Sequence, residues 1–323
     1  MNINNLLGLA DLDADLARLE ECLKGSLTSE DPLLAEVATH LVVAGGKRLR
    51  PSLTLACAAE RGPAGPEVLL GGVSVELVHL ASLYHDDVMD EAATRRNTPS
   101  VNAQWGNLVA IVAGDFLLAR AAGIAAGLGN EIAGLLAATL ARMCEGQIQE
   151  VHSAFDTARS ESSYLSAIRG KTASLLATAC RVGALTSELD QSVVESLTAY
   201  GEYFGMVYQI RDDIMDLVAS DSDLGKAPGQ DLVEGIYTLP VLLALSEAGP
   251  SGELADLLGR PLDGAGLDQA RRLIRGTSGL AGAEAVGRGF AKKADEAAQQ
   301  AAPGEVGIAL GRLGHALLDT LPT

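Results

Sequence analysis

The feature that most constrains the fold of this chain is helical apolar periodicity along most of its 323 residues. Apolar side chains recur at three- and four-residue spacing, and no segment sustains the alternation typical of a β-strand. Breaker-rich joints interrupt the pattern near residues 45–51, 61–66 and 97–100. The stretch 220–235, which is rich in Gly, Asp, Ser and Pro, is predicted to be a polar loop. The pattern predicts helices over 67–91, 101–128, 130–153, 162–185, 190–219, 238–247, 267–275, 281–300 and 304–318.

Composition favours close packing of these helices. Aromatic residues make up only 3% of the chain, whereas Ala, Leu and Gly are abundant, which disfavours a β-sandwich. No segment is long enough to be an interdomain linker, and no short repeat of fixed period is present. We therefore predict an all-α fold: a single domain over residues 1–323, built as a bundle of long, mostly antiparallel helices.

The charge of the chain limits its partners and location. A formal net charge of −18 excludes binding to nucleic acid and adhesion to anionic lipid, both of which need clustered basic residues. The N-terminal residues are acidic, unlike a signal peptide, and Asp115 and Arg120 interrupt the most apolar stretch, 108–128. The four cysteines lie far apart and form no CxxC pair, which is typical of reduced thiols. We expect a cytoplasmic protein without a transmembrane segment.

An acidic motif follows an apolar helical run. Asp86 and Asp90 are four residues apart and therefore share one face of a helix, with Asp87 about 100° around it. Like charges at this spacing repel, and a divalent cation would reverse the sign of that interaction. Such oxygen ligands suit Mg²⁺, which binds through a few carboxylates together with waters and substrate phosphates. The alternative for a single Asp-Asp-x-x-Asp motif is a solvated acidic helix face.

The same motif occurs a second time, as Asp212-Asp213-Ile214-Met215-Asp216, again behind an apolar run. Two such patterns are hard to attribute to composition. In an antiparallel bundle, two helices can direct these ends toward one central cavity, where the carboxylates would hold several divalent ions.

Basic residues cluster near both motifs, although the chain has only 24 Lys and Arg. Arg clamps phosphates through paired hydrogen bonds, and Lys binds them as a point charge. Each group alone could form ordinary surface salt bridges, but beside two metal motifs they indicate a pocket for diphosphates. The basic residues concerned are Lys47, Arg48, Arg50, Arg95, Arg96, Lys171 and Lys226.

With these motifs, the chain closely resembles the trans-type polyprenyl diphosphate synthases, which are head-to-tail prenyltransferases of isoprenoid biosynthesis. The resemblance runs in order through GGKRLRP, HLASLYHDDVMDEAATRRNTPSVN, GDFLLARA, GKTASL, YQIRDDIMD and GKAPGQDLVEGIYTLP. These segments cover about residues 40 to 242. The resemblance implies the isoprenoid synthase fold, several Mg²⁺ ions per site and a homodimer.

The resemblance also implies roles for individual residues. Asp86, Asp87, Asp90, Asp212 and Asp216 would bind Mg²⁺. Lys47, Arg50, His79 and Arg96 would hold isopentenyl diphosphate. Arg95, Lys171, Thr172, Gln209 and Lys226 would face the allylic diphosphate, with Lys171, Thr172 and Gln209 in catalytic roles. From the residues alone, His79 could also be a core histidine, and Gln209 a buried hydrogen-bond partner between helices. Ile236 occupies a position where many members have Lys, and it cannot supply that cation.

The implied reaction is ionisation, condensation and elimination. The cations make the allylic diphosphate a better leaving group, and the double bond of isopentenyl diphosphate attacks the allylic cation. A proton is then lost, with the departing diphosphate as the plausible base. Three alternatives stay open: a class I terpene cyclase, a non-catalytic prenyltransferase subunit and a structural helical protein.

Product length should depend on the helix that carries Asp86, because the growing chain extends along its apolar face. Ala81 and Ser82 lie one turn before the motif, where a large aromatic side chain would form a floor. Small residues here predict a medium- to long-chain all-trans product, about six to ten isoprene units by this tunnel argument. Geranylgeranyl or farnesyl diphosphate is the alternative product. Small residues could also serve only close helix packing.

Overall fold

The computed structural model describes residues 3–218, 229–249 and 252–322. The fold is all-α, as predicted. Within the described ranges, the only strand pairing is a two-residue antiparallel hairpin, β1 (Thr94–Arg95) and β2 (Thr98–Pro99). The helices are α1 (Ile3–Leu7), α2 (Leu12–Ser26), α3 (Pro32–Val43), α4 (Leu49–Ala58), α5 (Pro66–Met89), α6 (Val101–Trp105), α7 (Asn107–Leu128), α8 (Asn130–His152), α9 (Glu161–Ile168), α10 (Ser174–Thr186), α11 (Gln191–Val218), α12 (Gln230–Val233), α13 (Leu239–Ala248), α14 (Glu253–Leu257), α15 (Gly264–Arg275), α16 (Gly279–Ala301) and α17 (Glu305–Leu318).

Two predicted helices are interrupted. The segment 101–128 forms α6 and α7, which are separated at Gly106, whose φ of 86° is incompatible with a continuous right-handed helix. The segment 162–185 forms α9 and α10, joined by one turn of π-helix at Arg169–Ala173. Such turns are rare and are frequent at functional sites.

The remaining differences are omissions. The periodicity did not predict α1 to α4 or the short α14. The predicted loop 220–235 contains the short helix α12, and its residues 220–228 lie outside the described part of the chain.

The chain divides into two compact units. Unit 1 comprises Met1–Leu140, Leu175–Thr198 and Ala298–Leu310, and unit 2 comprises Ala141–Ser174, Ala199–Ala297 and Gly311–Thr323. That these residues form a single domain stays a prediction.

The core of unit 1 is built around α5, which packs mainly against α7, α4 and α2. Gly65 and Pro66 begin this helix, since Pro at the first helical position suits the fixed φ of its ring. Val73, Leu77 and Leu80 are completely buried. Tyr84 is also buried, and its hydroxyl donates to the carbonyl of Val37 at 2.7 Å. These contacts fix the half of α5 that leads to the first acidic motif.

In unit 2, the C-terminal half of α11 leads to the second acidic motif and has a buried face. Phe204, Val207 and Ile210 are completely buried. Tyr200 stacks on Phe204 with ring centroids 6.0 Å apart. This packing holds the second acidic motif in a fixed setting at the end of the helix.

Among the described residues, α5 and α7 are long and apolar enough to span a membrane by length and composition alone. Such evidence is weak, because core helices of soluble proteins pass the same test. The buried share of the apolar window is 72% in α5 and 33% in α7.

Candidate active site

The first acidic motif ends α5. The helix continues to Met89, and the backbone N–H of Asp90 donates to the carbonyl of Asp86 at 2.8 Å. This helical hydrogen bond keeps both side chains on one face of the helix, as their spacing predicts. Asp86 is half-buried and Asp90 is exposed. Two carboxylates are therefore presented at an accessible helix end.

Asp87 has a different environment from its two neighbours. It is completely buried, and its Oδ1 accepts from Nε of Arg95 at 2.7 Å. Burial raises the pKa of Asp87, whereas the Arg95 guanidinium opposes that change. Its Oδ2 is buried and has no hydrogen-bond partner among residues 3–218, 229–249 and 252–322. Arg95 thus contacts the metal motif itself, and one oxygen of Asp87 is left to accept another donor or a cation.

Arg48, which belongs to the GGKRLRP segment, forms a cluster of ion pairs with Glu20 and Glu76. Arg48 has a left-handed φ of 45° and is only 6% exposed. Its Nη1 lies 3.0 Å from Oε1 of Glu76 on α5, and its Nε also pairs with Glu20 on α2. Burial raises the pKa of Glu76, and Arg48 counters this most strongly among the nearby cations. Glu76 was not among the predicted site residues, because the local sequence around it does not show that this acid pairs with Arg48.

The cations predicted for isopentenyl diphosphate gather around His79. This histidine is half-buried, and burial together with the charges of Arg50 and Arg96 holds its pKa well below the usual range. Its imidazole is therefore neutral. Arg96 donates to the carbonyl of Leu41 at 3.0 Å and also to that of Gly45, while Lys47 is exposed. Unit 1 thus brings Arg50 and Arg96 close to His79, together with Arg95, which was predicted for the allylic side. The roles of these residues stay predictions.

The two residues predicted to set chain length differ in exposure. Ala81 is completely buried, whereas Ser82 is half-buried and donates to the carbonyl of His79 at 2.8 Å. Helical spacing places Ser82 on the same face as His79 and Asp86. Ser82 therefore shares the accessible face with the motif, and the role of Ala81 stays a prediction.

The second acidic motif differs from the first in exposure at its last aspartate. Asp212 is half-buried, and its Oδ1 accepts from Nη1 of Arg211 at 3.1 Å. Asp216 is only 2% exposed, and its Oδ2 accepts from the backbone N–H of Asp231 at 3.3 Å. The backbone N–H of Gly229 donates to the Asp216 carbonyl at 2.8 Å. The same sequence pattern thus lies in two different settings.

The middle aspartate of the second motif holds a chain of hydrogen bonds, which we call the Asp213 network. Its Oδ2 accepts from the Tyr164 hydroxyl at 2.5 Å, and its Oδ1 accepts from Nε2 of Gln209 at 2.7 Å. Oε1 of Gln209 in turn accepts from the Thr172 hydroxyl at 2.7 Å. Burial raises the pKa of Asp213 to about 7, against the opposing effect of both donors. The structure therefore joins Thr172 and Gln209, both predicted for the allylic side, and adds Tyr164, which was not among the predicted site residues.

Lys171 lies in the π-helical turn and pairs with Glu150 on α8. The two helices approach closely at Gly146, where a Cβ atom would lie 2.4 Å from the backbone nitrogen of Lys171. Glu150 lies one turn after this contact. The four-residue spacing of Gly146 and Glu150 is visible in the sequence. The pairing of Glu150 with Lys171 is not, because it joins residues of separate helical segments.

The described residues contain no group of three or more His, Cys, Asp and Glu side chains close enough to hold a metal ion by themselves. Lys226 lies outside the described part of the chain. Ile236 is half-buried and provides no cation, in line with the departure noted from its sequence.

The helical fold and the two acidic motifs define a class of enzyme that handles isoprenoid diphosphates, and the comparisons agree. A family model described as polyprenyl synthetase matches residues 31–274. Nonaprenyl diphosphate synthase of Mycobacterium tuberculosis is 40% identical over 298 residues, 91% of this chain and 89% of that protein. Heptaprenyl diphosphate synthase component 2 of Geobacillus stearothermophilus is 41% identical over 257 residues, 76% of this chain and 80% of that protein.

A solved structure gives the same result. A polyprenyl synthase from Caulobacter crescentus CB15, complexed with calcium and isoprenyl diphosphate, matches with a TM-score of 0.91 and 32% identity. The match covers 98% of this chain and 97% of that chain. The chain belongs to the polyprenyl synthetase family, and the prediction of a prenyltransferase enzyme is confirmed. This membership replaces the alternatives of a terpene cyclase and of a structural helical protein.

Proposed function

We propose that the protein condenses isopentenyl diphosphate with an allylic diphosphate, head to tail, to give a medium- to long-chain all-trans polyprenyl diphosphate. The observation that carries the proposal is the group of Arg50, Arg95 and Arg96 around a neutral His79, near the accessible pair Asp86 and Asp90. In an acidic protein, this concentration of positive charge suits an anionic substrate. The names of the relatives and the family membership support the same reaction.

The carboxylates present fit a hard divalent cation such as Mg²⁺. Asp86 and Asp90 offer two carboxylates on one helix face, and Asp87 keeps one buried oxygen available within the described residues. Mg²⁺ binds through a few carboxylates, and substrate phosphates and water would complete its coordination. Asp86, Asp87, Asp90, Asp212 and Asp216 would hold the ions. When bound, Mg²⁺ would neutralise the diphosphate and make it a better leaving group.

The protein's own residues would bind the two diphosphates and stabilise the allylic cation. Lys47, Arg50, His79 and Arg96 would hold isopentenyl diphosphate. Arg95, Lys171 and Lys226 would hold the allylic diphosphate. The oxygens of Thr172 and Gln209 are fixed by the Asp213 network and would face the allylic cation as dipoles, without forming a covalent bond to it.

The proposed product length rests on the small residues Ala81 and Ser82 and on the relatives. Two of the relatives are named nonaprenyl and heptaprenyl diphosphate synthases. A geranylgeranyl diphosphate synthase of Methanosarcina mazei is also 38% identical, over 70% of this chain, and favours a shorter product as the second candidate.

The decisive experiment incubates the purified protein with labelled isopentenyl diphosphate, Mg²⁺ and one allylic primer at a time, and then sizes the products. We expect Mg²⁺-dependent products of about six to ten isoprene units by the tunnel argument. Products that stop at geranylgeranyl diphosphate would support the second candidate, and the absence of condensation with every primer would refute the proposal.

We further propose a cytoplasmic homodimer. Leu108, Ile111 and Val112 on α7 are 76%, 42% and 51% exposed, and such an apolar face suits pairing with a second copy. The name of the Geobacillus relative, component 2, raises a different partner chain as the competing assembly. Light scattering of the purified protein, combined with the product assay, separates the two. An active dimer of this chain alone is expected, whereas activity that requires an added second component would refute the homodimer.

A further inference from the structure

We infer that Tyr164 is a positioning residue for the condensation, acting through Asp213 on Gln209 and Thr172. The inference rests on the proposed function and deepens it. It assigns to Asp213 and Tyr164 a role other than metal binding, although Asp213 belongs to an acidic motif.

Both carboxylate oxygens of Asp213 already accept hydrogen bonds. Oδ2 accepts from the Tyr164 hydroxyl at 2.5 Å, and Oδ1 accepts from Nε2 of Gln209 at 2.7 Å. Asp213 is 3% exposed and Tyr164 is 1% exposed, so water does not compete strongly for these bonds. Hydrogen bonds to a carboxylate in such a setting are stronger than those between neutral groups.

The orientation of the Gln209 amide follows from its bond to Asp213. An amide has one acceptor end and one donor end. Because Asp213 accepts only from the donor end, Oε1 of Gln209 must face the Thr172 hydroxyl, from which it accepts at 2.7 Å. The carboxylate thus determines the direction of the Gln209 dipole and the direction of the Thr172 O–H bond.

A positive charge lies next to the Tyr164 ring. The Arg159 guanidinium lies 5.7 Å from the centroid of the Tyr164 ring, and Arg159 is only 7% exposed. The negative charges of Glu150 and Asp213 attract it, although burial lowers its pKa. Arg159 therefore supplies a buried positive charge next to Tyr164, at the end of the Asp213 network opposite Thr172. This charge favours a fixed geometry for the Asp213–Tyr164 pair.

The consequence is catalytic rather than structural. Oxygen dipoles that stabilise an allylic cation are effective only when they are held in place before the cation forms. Loss of the Tyr164 hydroxyl would remove one of the two donors that hold the Asp213 carboxylate, and would weaken the constraint on the Gln209 amide. The rate of the chemical step should then fall, while the binding of either diphosphate, which depends on the basic residues, should not change.

The test compares Tyr164→Phe with Tyr237→Phe in the full-length protein. Tyr237 is a suitable control, because it is also buried in unit 2, and its hydroxyl accepts from the backbone N–H of Gly259 at 2.6 Å. Single-turnover condensation with Mg²⁺ is measured for both variants. Its rate constant reports the chemical step, and its amplitude reports the fraction of correctly folded protein.

We expect Tyr164→Phe to lower the rate constant about ten- to a hundredfold, with full amplitude and with both KM values within about twofold of wild type. Tyr237→Phe should leave the rate constant unchanged. If Tyr164→Phe fails to fold, Asp213→Asn serves instead, because one amide oxygen cannot replace two carboxylate oxygens as acceptors, and the same fall in rate is expected.

Equal rate constants for Tyr164→Phe and Tyr237→Phe, or a loss of amplitude alone, would overturn the inference and leave the proposed function intact. A wild-type protein that shows no condensation would overturn both.

Discussion

The two acidic motifs share one sequence pattern but differ in the exposure of the last aspartate and in the partners of the middle one. Asp86 and Asp212 are both half-buried, and Asp87 and Asp213 are both buried. Asp90 is exposed at the end of α5, whereas Asp216 is only 2% exposed. The middle residues differ as well, because Asp87 pairs with the cation Arg95, whereas Asp213 accepts from the neutral donors Tyr164 and Gln209.

This difference in partners distinguishes the two middle aspartates. Burial raises the pKa of both, but at Asp87 the full positive charge of Arg95 opposes that rise. A carboxylate held by neutral donors in a buried setting has a raised pKa, about 7 for Asp213, and is better suited to orient its neighbours.

The largest effect is expected at the first motif. Asp86→Ala should lower kcat by about 10²- to 10³-fold or more, because it removes a ligand for the ion that stabilises the leaving group. The fold should be retained, since one of two like charges is removed from an accessible helix end. Steady-state kinetics at saturating Mg²⁺ measure the effect.

Glu67→Ala is the matched control for Asp86→Ala. It removes an exposed acid from the first turn of the same helix, far along the chain from the motif, and should leave kcat unchanged. A loss of only a few-fold at Asp86 would contradict its assignment as a metal ligand.

The next effect concerns the basic residues of unit 1. Arg96→Ala should raise KM for isopentenyl diphosphate by about 10- to 100-fold, the equivalent of one charge-assisted hydrogen bond. Lys47→Ala should act in the same direction but less strongly, because Lys47 is exposed and solvent screens its charge. KM for the allylic primer is the internal control, and a larger rise there would mean that the two diphosphate sites are reversed.

A smaller effect on rate, but a clear effect on product, is expected on α5 before the motif. Ala81→Phe should shorten the products toward farnesyl or geranylgeranyl length without changing the Mg²⁺ dependence. Ser82→Phe provides the comparison, since Ser82 shares the accessible face with Asp86 whereas Ala81 is completely buried. Product sizing tests both variants. Shortening by Ser82→Phe alone would move the chain-length role from Ala81 to Ser82.

The smallest effect concerns His79 and pH. Its pKa in the folded protein lies well below 6.5, so the unfolded chain binds more protons as the pH falls below that value. His79 therefore lowers stability as the pH decreases through this range, and has no such effect above it. Urea midpoints measured at about pH 8 and pH 5.5 should differ less for His79→Gln than for wild type. An unchanged pH dependence would contradict a neutral His79 among the arginines.

Most of the helical architecture could be predicted from the sequence, because periodicity and breaker residues are local signals. The fold class and the long helices α5, α8 and α11 follow from them, whereas the candidate site residues came from the motifs and the family resemblance and stay predictions. The π-helical turn at Arg169–Ala173 could not be predicted, since it depends on the close approach of another helix at Gly146.

The partners of the site residues could not be predicted either. Glu150 with Lys171, Glu76 with Arg48 and Tyr164 with Asp213 are separated by 21, 28 and 49 residues in the chain. Sequence spacing identifies neighbours on one helix, but it does not identify contacts between helices. The contrast between the two acidic motifs is therefore a result of the structure alone.

The most direct test of that contrast is calorimetric titration of Mg²⁺ into the protein with inorganic diphosphate, comparing wild type, Asp86→Ala and Asp213→Asn. The account predicts that Asp86→Ala weakens Mg²⁺ binding by about tenfold or more, the loss of roughly one ligand interaction. Asp213→Asn should leave the affinity within about threefold of wild type, because Asp213 orients Gln209 and does not hold the metal. Equal losses of Mg²⁺ affinity in the two variants would contradict the account.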